Sequence, residues 1–169
     1  VLKRFRFDKQ IRRVSTPFAS QFKISAAMSP KNDAKRAYME KVPYANVVGS
    51  LMYDMICTRP DISHVVGMVS RYMHNPGKEH WQAVKWILRY IHNTVDVGLV
   101  FKHGSSQWVE GYRDSDYVGD LNKRRSRTGY VFTLAKAPVS WKSTLQSTIA
   151  LSTTEAEYMA MTETVKEAI

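Results

Sequence analysis

Four carboxylates in the last third of the chain have the types and spacing for cation chemistry. Asp114 and Asp116 sit two apart in Gly-Tyr-Arg-Asp-Ser-Asp-Tyr-Val-Gly-Asp, residues 111–120. Glu155 and Glu157 sit two apart in Leu-Ser-Thr-Thr-Glu-Ala-Glu-Tyr, residues 151–158. Residues two apart on a strand share a face, and a helix packed on that face could bring Glu157 near one of the aspartates. Carboxylates from two elements can hold Mg²⁺, which takes near-octahedral oxygen ligands and keeps several waters. A solvated acidic pair at a strand end is the plain alternative, and spacing alone leaves both open.

The elements that must position these acids can be read from the same stretch. Ser152 followed three residues later by Glu155 fits a capping box, in which Glu155 reaches back to the cap's own N–H. Glu157 then lies roughly 200° further round the helix axis. Tyr158, Met161, Val165 and Ala168 recur at near-helical spacing. They form an apolar stripe expected to pack on a sheet, with Glu157 beside it. A carboxylate there costs free energy unless a cation or donor compensates it. Residues 107–116, 128–135 and 138–150 read as three strands, the third kinked near 143–146.

Lys123, Arg124, Arg125 and Arg127 lie between the first two strands. A solvated hairpin loop is one reading. A phosphate grip beside the acids, with bidentate Arg contacts, is the other. Tyr130 and Trp141 have the rings to stack on bases, but their strand positions favour packing.

These motifs occur in a recognisable order. Residues 111–120, then Arg124-Arg125-Ser126-Arg127-Thr128-Gly129-Tyr130-Val131-Phe132, Val139-Ser140-Trp141-Lys142-Ser143 and 151–158, resemble the ribonuclease H region of copia-type retrotransposon polyproteins. Upstream, Val14-Ser15-Thr16-Pro17, Pro43-Tyr44 to Tyr53, Thr58-Arg59-Pro60-Asp61-Ile62 and Asn75-Pro76-Gly77-Lys78-Glu79-His80-Trp81 resemble the segment that joins reverse transcriptase to ribonuclease H.

The resemblance implies an α+β chain. A basic tail of the reverse transcriptase region (1–41) precedes a helical connection segment (42–104). A truncated ribonuclease H-like domain follows (105–169), a three-stranded antiparallel sheet plus helix. It also implies cleavage of the RNA strand of an RNA–DNA hybrid with Mg²⁺, or Mn²⁺ in its place, stabilising attacking water and leaving oxygen. Asp114 and Glu157 would be catalytic residues and metal ligands, with Asp116 and Glu155 flanking them. The partners implied are nucleic acid and the rest of the Pol polyprotein. The place implied is intracellular, in a cytoplasmic virus-like particle or the nucleus. Two features depart from the family. Its later acidic ligands would follow Ile169, so an incomplete metal cage and little nuclease activity are expected. Arg113 replaces a small polar residue and is expected to perturb Asp114. A non-catalytic basic nucleic-acid-binding remnant, or a decayed element fragment, is the alternative.

Composition agrees with a nucleic-acid partner without requiring one. The 169 residues carry a formal net charge of +10, which suits a polyanion. One cysteine, Cys57, excludes an internal disulfide and reads as a buried small hydrophobe at a helix end. No run of about 18 apolar residues suggests a membrane span.

Residues 1–41 hold eleven Lys/Arg and read as an extended, partly ordered leader, its Phe5, Phe7, Phe18 and Phe22 deprived of a core. Helical stripes follow over 43–57, 60–73 and 78–92. His64, His74, His80 and His92 have no metal-ligand spacing and read as surface or helix-end residues. Gly98–Phe101 reads as a short strand, and His103–Ser106 as the joint between domains.

Overall fold

Among the described residues, apolar side chains at three- and four-residue spacing build four α-helices before any strand. They are α1 (Asp33–Glu40), α2 (Tyr44–Cys57), α3 (Ser63–Val69) and α4 (Lys78–Asn93). After them come β1 (Val109–Asp116), β2 (Arg127–Leu134), β3 (Ala137–Leu145) and α5 (Thr153–Ala168). The chain is an α+β protein in two compact units, Val1–Gly98 and Leu99–Ile169. The computed structural model describes residues 1–2, 4–5, 14–19, 22–101, 108–120 and 122–169. Phe7, five of the leader's basic residues and the expected joint at 103–106 lie outside them. Among the described residues no helix is long and apolar enough to cross a membrane.

The helical unit closes on Val47, Val48 and Leu51 of α2, Val65, Val66 and Val69 of α3, and Val84, Ile87 and Leu88 of α4, all buried. Each such side chain contributes roughly 1.5–3 kcal/mol by leaving water. The expected helix over 60–73 is broken into a 3₁₀ turn (Pro60–Ile62), α3 and a second 3₁₀ turn (Ser70–Tyr72). Cys57 is exposed, contrary to expectation. It ends α2 on the side away from the core.

The described leader is no detached tail. Ile24 and Met39 belong to the core, and Phe5, Phe18 and Phe22 pack against it. The Phe22 ring meets Trp86 edge-on at 5.8 Å. Trp86 Nε1 donates to the Thr16 carbonyl at 2.9 Å, and Ser29 Oγ to the Asn75 carbonyl at 2.8 Å. Weak periodicity hid this order, because the segment is fixed by contacts with distant residues.

His80 also departs from its surface reading. It is fully buried and stacked on Tyr72, ring centroids 4.1 Å apart. Its Nδ1 accepts the Gly77 N–H at 2.8 Å, which caps α4, and its Nε2 lies 3.1 Å from the Ser25 carbonyl. Accepting at Nδ1 and donating at Nε2 is the pattern of the neutral ring. Burial lowers its pKa, against a smaller opposing effect of the Ser25 carbonyl.

Thr58-Arg59-Pro60-Asp61 forms a corner held by a buried guanidinium. Arg59 Nε and Nη2 donate to the two Asp61 oxygens at 2.9 and 2.7 Å, and Nη2 also donates to Thr94 Oγ1 at 2.7 Å. Tyr90 Oη donates to Asp61 at 2.8 Å. Burial would raise the Asp61 pKa, but the bonds from Arg59 and Tyr90 outweigh it and hold the carboxyl below its usual value. The corner between α2 and α3 is thereby tied to the end of α4.

Two outcomes follow. Removing one partner of a buried ion pair costs about 3–5 kcal/mol, and the partial exposure of Asp61 puts Arg59→Ala near or below the lower bound, about 2–3 kcal/mol. Urea unfolding at neutral pH measures this, and Arg59→Lys, which loses the bidentate fork, should not restore it. For His80, the unfolded chain takes up a proton at higher pH than the native one. Its contribution is complete above the ordinary value of 6.5 and declines as pH falls below it. The urea midpoint should therefore be lower at pH 5 than at pH 7.5, and His80→Ala should flatten that difference.

Candidate functional site

The candidate site is carried by the second unit, an antiparallel sheet in the order β1-β2-β3 with α5 across one face. Asp114 pairs with Gly129, Arg113 with Tyr130, and Tyr130 with Lys142. The two-residue turn between β2 and β3 is Ala135-Lys136, both at positive φ, a pattern usually given to Asn and Gly. Residues 99–101 form no strand, and Val100 and Phe101 are exposed.

The start of α5 is built as a capping arrangement. Ser152 Oγ accepts the Glu155 N–H at 3.1 Å, and the Glu155 carboxylate accepts the Leu151 N–H at 2.7 Å. The return bond thus goes one residue earlier than the cap's own N–H. Glu155 is committed to the helix end.

The face of α5 that meets the sheet is not the expected apolar stripe. Ala156, Ala160 and Thr164 are buried, whereas Tyr158, Met161 and Val165 are exposed. Small side chains let the helix lie close to the strands, and carboxylates hold it there. Ser140 Oγ donates to Glu167 at 2.8 Å. Tyr130, buried, also hydrogen-bonds Glu167, and its pKa is pushed up to about 12, first by burial and then by that carboxylate. Arg113 Nη1 donates to Glu157 Oε2 at 2.9 Å.

This last contact fixes where the predicted ligands lie. Arg113 and its cross-strand partner Tyr130 both reach α5, so they occupy the covered face. Successive strand side chains alternate faces, and Asp114 therefore stands on the opposite, open face. It is exposed, with Oδ1 accepting the N–H of Ser115 at 2.9 Å. The sheet separates Asp114 from Glu157, and the cation expected beside Asp114 pairs with Glu157 instead. Asp116, half-buried at the end of β1, accepts the Arg127 N–H. A side chain at position 119 would press on the Asp116 carboxylate, which would have to move aside. Among the described residues no three acidic, His or Cys side chains converge into a metal-binding group. The residues present do not fit the Mg²⁺ or Mn²⁺ that the resemblance implies.

The basic run is organised by a residue that the sequence reading passed over. Asp120 is 3% exposed. Its carboxylate accepts the Lys123 N–H at 3.1 Å and the Asn122 N–H at 3.4 Å. Its backbone accepts from Arg124 at 2.8 Å and donates to Arg125 at 3.1 Å. An Asp ahead of a polar turn is the available signal for such a loop. The result displays Lys123 and Arg124 to solvent, leaves Arg125 half-buried and tucks Arg127 away at 6% exposure. Arg127 is the one of the four that is not presented to a polyanion. Val118 and Arg124 take positive φ to make these bends, an uncommon conformation for a β-branched residue.

Against known proteins, the whole chain is 54% identical to the retrovirus-related Pol polyprotein from transposon TNT 1-94 of Nicotiana tabacum. It is 37% identical over 154 residues, 91% of its length, to that from transposon RE2 of Arabidopsis thaliana. It is 46% identical over 131 residues to the secreted RxLR effector protein 161 of Plasmopara viticola, covering 78% of this chain and 92% of that protein. The chain's homologues include retrovirus-related Pol polyproteins of copia-type transposons. The chain spans 13% of the tobacco polyprotein and 10% of the RE2 polyprotein. No family model matches it, and no solved structure matches it.

The seating of α5 gives a prediction. Ala160→Leu forces a large side chain into the closest approach between α5 and the sheet and should cost about 1–3 kcal/mol. Met161→Ser, on the exposed side, should stay within about 0.5 kcal/mol of wild type. Denaturant unfolding followed by circular dichroism separates the two.

Proposed function

We propose that the chain is the connection segment and opening sheet of the ribonuclease H region of a copia-type Pol polyprotein, and that its own share of the work is to hold nucleic acid. The observation that carries this reading is the loop knitted by Asp120, which displays Lys123 and Arg124 on a chain of net charge +10. A pre-shaped loop presents its charges to phosphates with little further ordering to lose, and phosphate contacts position without reading sequence. Mg²⁺-dependent cutting of the RNA strand of a hybrid is assigned to the whole polyprotein. It would operate where Pol meets hybrids, in a cytoplasmic particle or the nucleus. In this chain Glu157 is spent on Arg113 and Asp114 faces the other way.

Binding of a labelled RNA–DNA hybrid, followed by fluorescence anisotropy across a salt series, tests the reading. Affinity should fall steeply with salt, and the Lys123→Ala/Arg124→Ala pair should flatten the log–log slope by roughly 1.5–2. Arg127→Ala should act on stability and not on that slope. Cleavage of the hybrid by the chain in Mg²⁺ or Mn²⁺, abolished in Glu157→Gln, would replace this reading with the catalytic one. Absence of salt-dependent binding would leave the decayed-fragment reading.

A further inference from the structure

We infer that Arg113 is a resident counter-ion for Glu157, so that the charge of this helix carboxylate is met from within the chain and α5 is seated without a divalent cation. The inference deepens the non-cutting half of the proposed function. It stands on the direct contact, Arg113 Nη1 to Glu157 Oε2 at 2.9 Å, and on the strand register that makes it. Arg113 lies opposite Tyr130, whose hydroxyl bonds Glu167 two turns and more along the same helix. Ser140 on the third strand bonds the same Glu167 at 2.8 Å. Each strand therefore supplies one polar group to a carboxylate of α5, and Arg113 is the only full positive charge among these three groups.

The chemistry favours an internal cation here. The helix presents Ala156 and Ala160 to the sheet, and two alanines supply little apolar area. The carboxylates at the rim add polar contacts from each strand that help to orient it. Glu157 lies between those alanines in sequence, with its side chain 44% exposed. A hydrated Mg²⁺ held by one carboxylate would keep most of its waters and would not bridge to the strand. A guanidinium anchored in β1 does bridge, its Nη1 donating to Glu157 Oε2 at 2.9 Å and to the Glu157 backbone carbonyl at 3.5 Å. The side chains of the pair are 33% and 44% exposed, so its direct contribution is modest and falls with salt.

The test uses the full chain without nucleic acid, so its failure is separable from a failure of hybrid binding. Hydrogen exchange of peptides covering α5 is measured for wild type, Arg113→Ser, Glu157→Gln and the double variant, with and without millimolar Mn²⁺. Each single substitution should speed exchange in α5 by roughly two- to fivefold, and the double variant should do no more than either alone. Arg113→Lys should recover part of the loss. Mn²⁺ should leave wild-type exchange unchanged and should not selectively broaden the NMR signals around Glu157. Additive single effects would overturn the inference, because the pair would then be uncoupled. Protection or broadening by Mn²⁺ in wild type, lost in Glu157→Gln, would also overturn it, because the carboxylate would then be a cation ligand.

Discussion

The close approach of α5 to the sheet, permitted by the absence of bulk at Ala156 and Ala160, decides the rest of the second unit. A helix seated on small residues lies close over the strands. From that position its carboxylates reach Arg113 on β1, Tyr130 on β2 and Ser140 on β3. The same seating turns Tyr158, Met161 and Val165 outward. A helix seated on that larger stripe would stand further off and would carry Glu157 to a different place. The identity of the buried face is thus a steric matter before it is an electrostatic one.

Once α5 covers one face, strand alternation distributes the chemistry without further freedom. Arg113 goes under the helix, Asp114 goes to the open side, and the two candidate ligands part company across the sheet. The carboxylate of Glu157 takes the nearest cation, which is part of the chain. The loop beyond β1 solves a related problem in another way. Asp120 is buried, and its carboxylate accepts the backbone N–H groups of Asn122 and Lys123. Lys123 and Arg124 are left outward-facing and available to a polyanion.

The helical unit follows the same logic with other residues. A buried guanidinium at Arg59 is acceptable because Asp61 and Thr94 occupy its donors, and Asp61 in turn takes the Tyr90 hydroxyl. Buried His80 is acceptable because its neutral ring has one donor and one acceptor, and both are used. Each of these polar groups joins segments far apart in sequence, Arg59 to Thr94 and His80 to Ser25. They act as ties more than as sources of net stability.

Much of this was written into the chain locally. Ser152 and Glu155 mark the start of α5, the alternating stretches mark β1 to β3, and the stripes of α2 and α4 mark the helical core. The likeness to copia-type Pol polyproteins rests on ordered motifs, and those need no coordinates. Capping chemistry, periodicity and motif order are properties of neighbours, so neighbours suffice to read them. Contacts across the fold were not legible in the same way. The leader packed on the core, His80 buried, Arg127 tucked away, Ala135-Lys136 turning without glycine and Asp120 knitting its loop all depend on partners that periodicity does not name. Tertiary structure alone chose which face of α5 meets the sheet and which cation meets Glu157. Helical spacing reveals a stripe of large apolar residues but not whether the space beneath it has room for them.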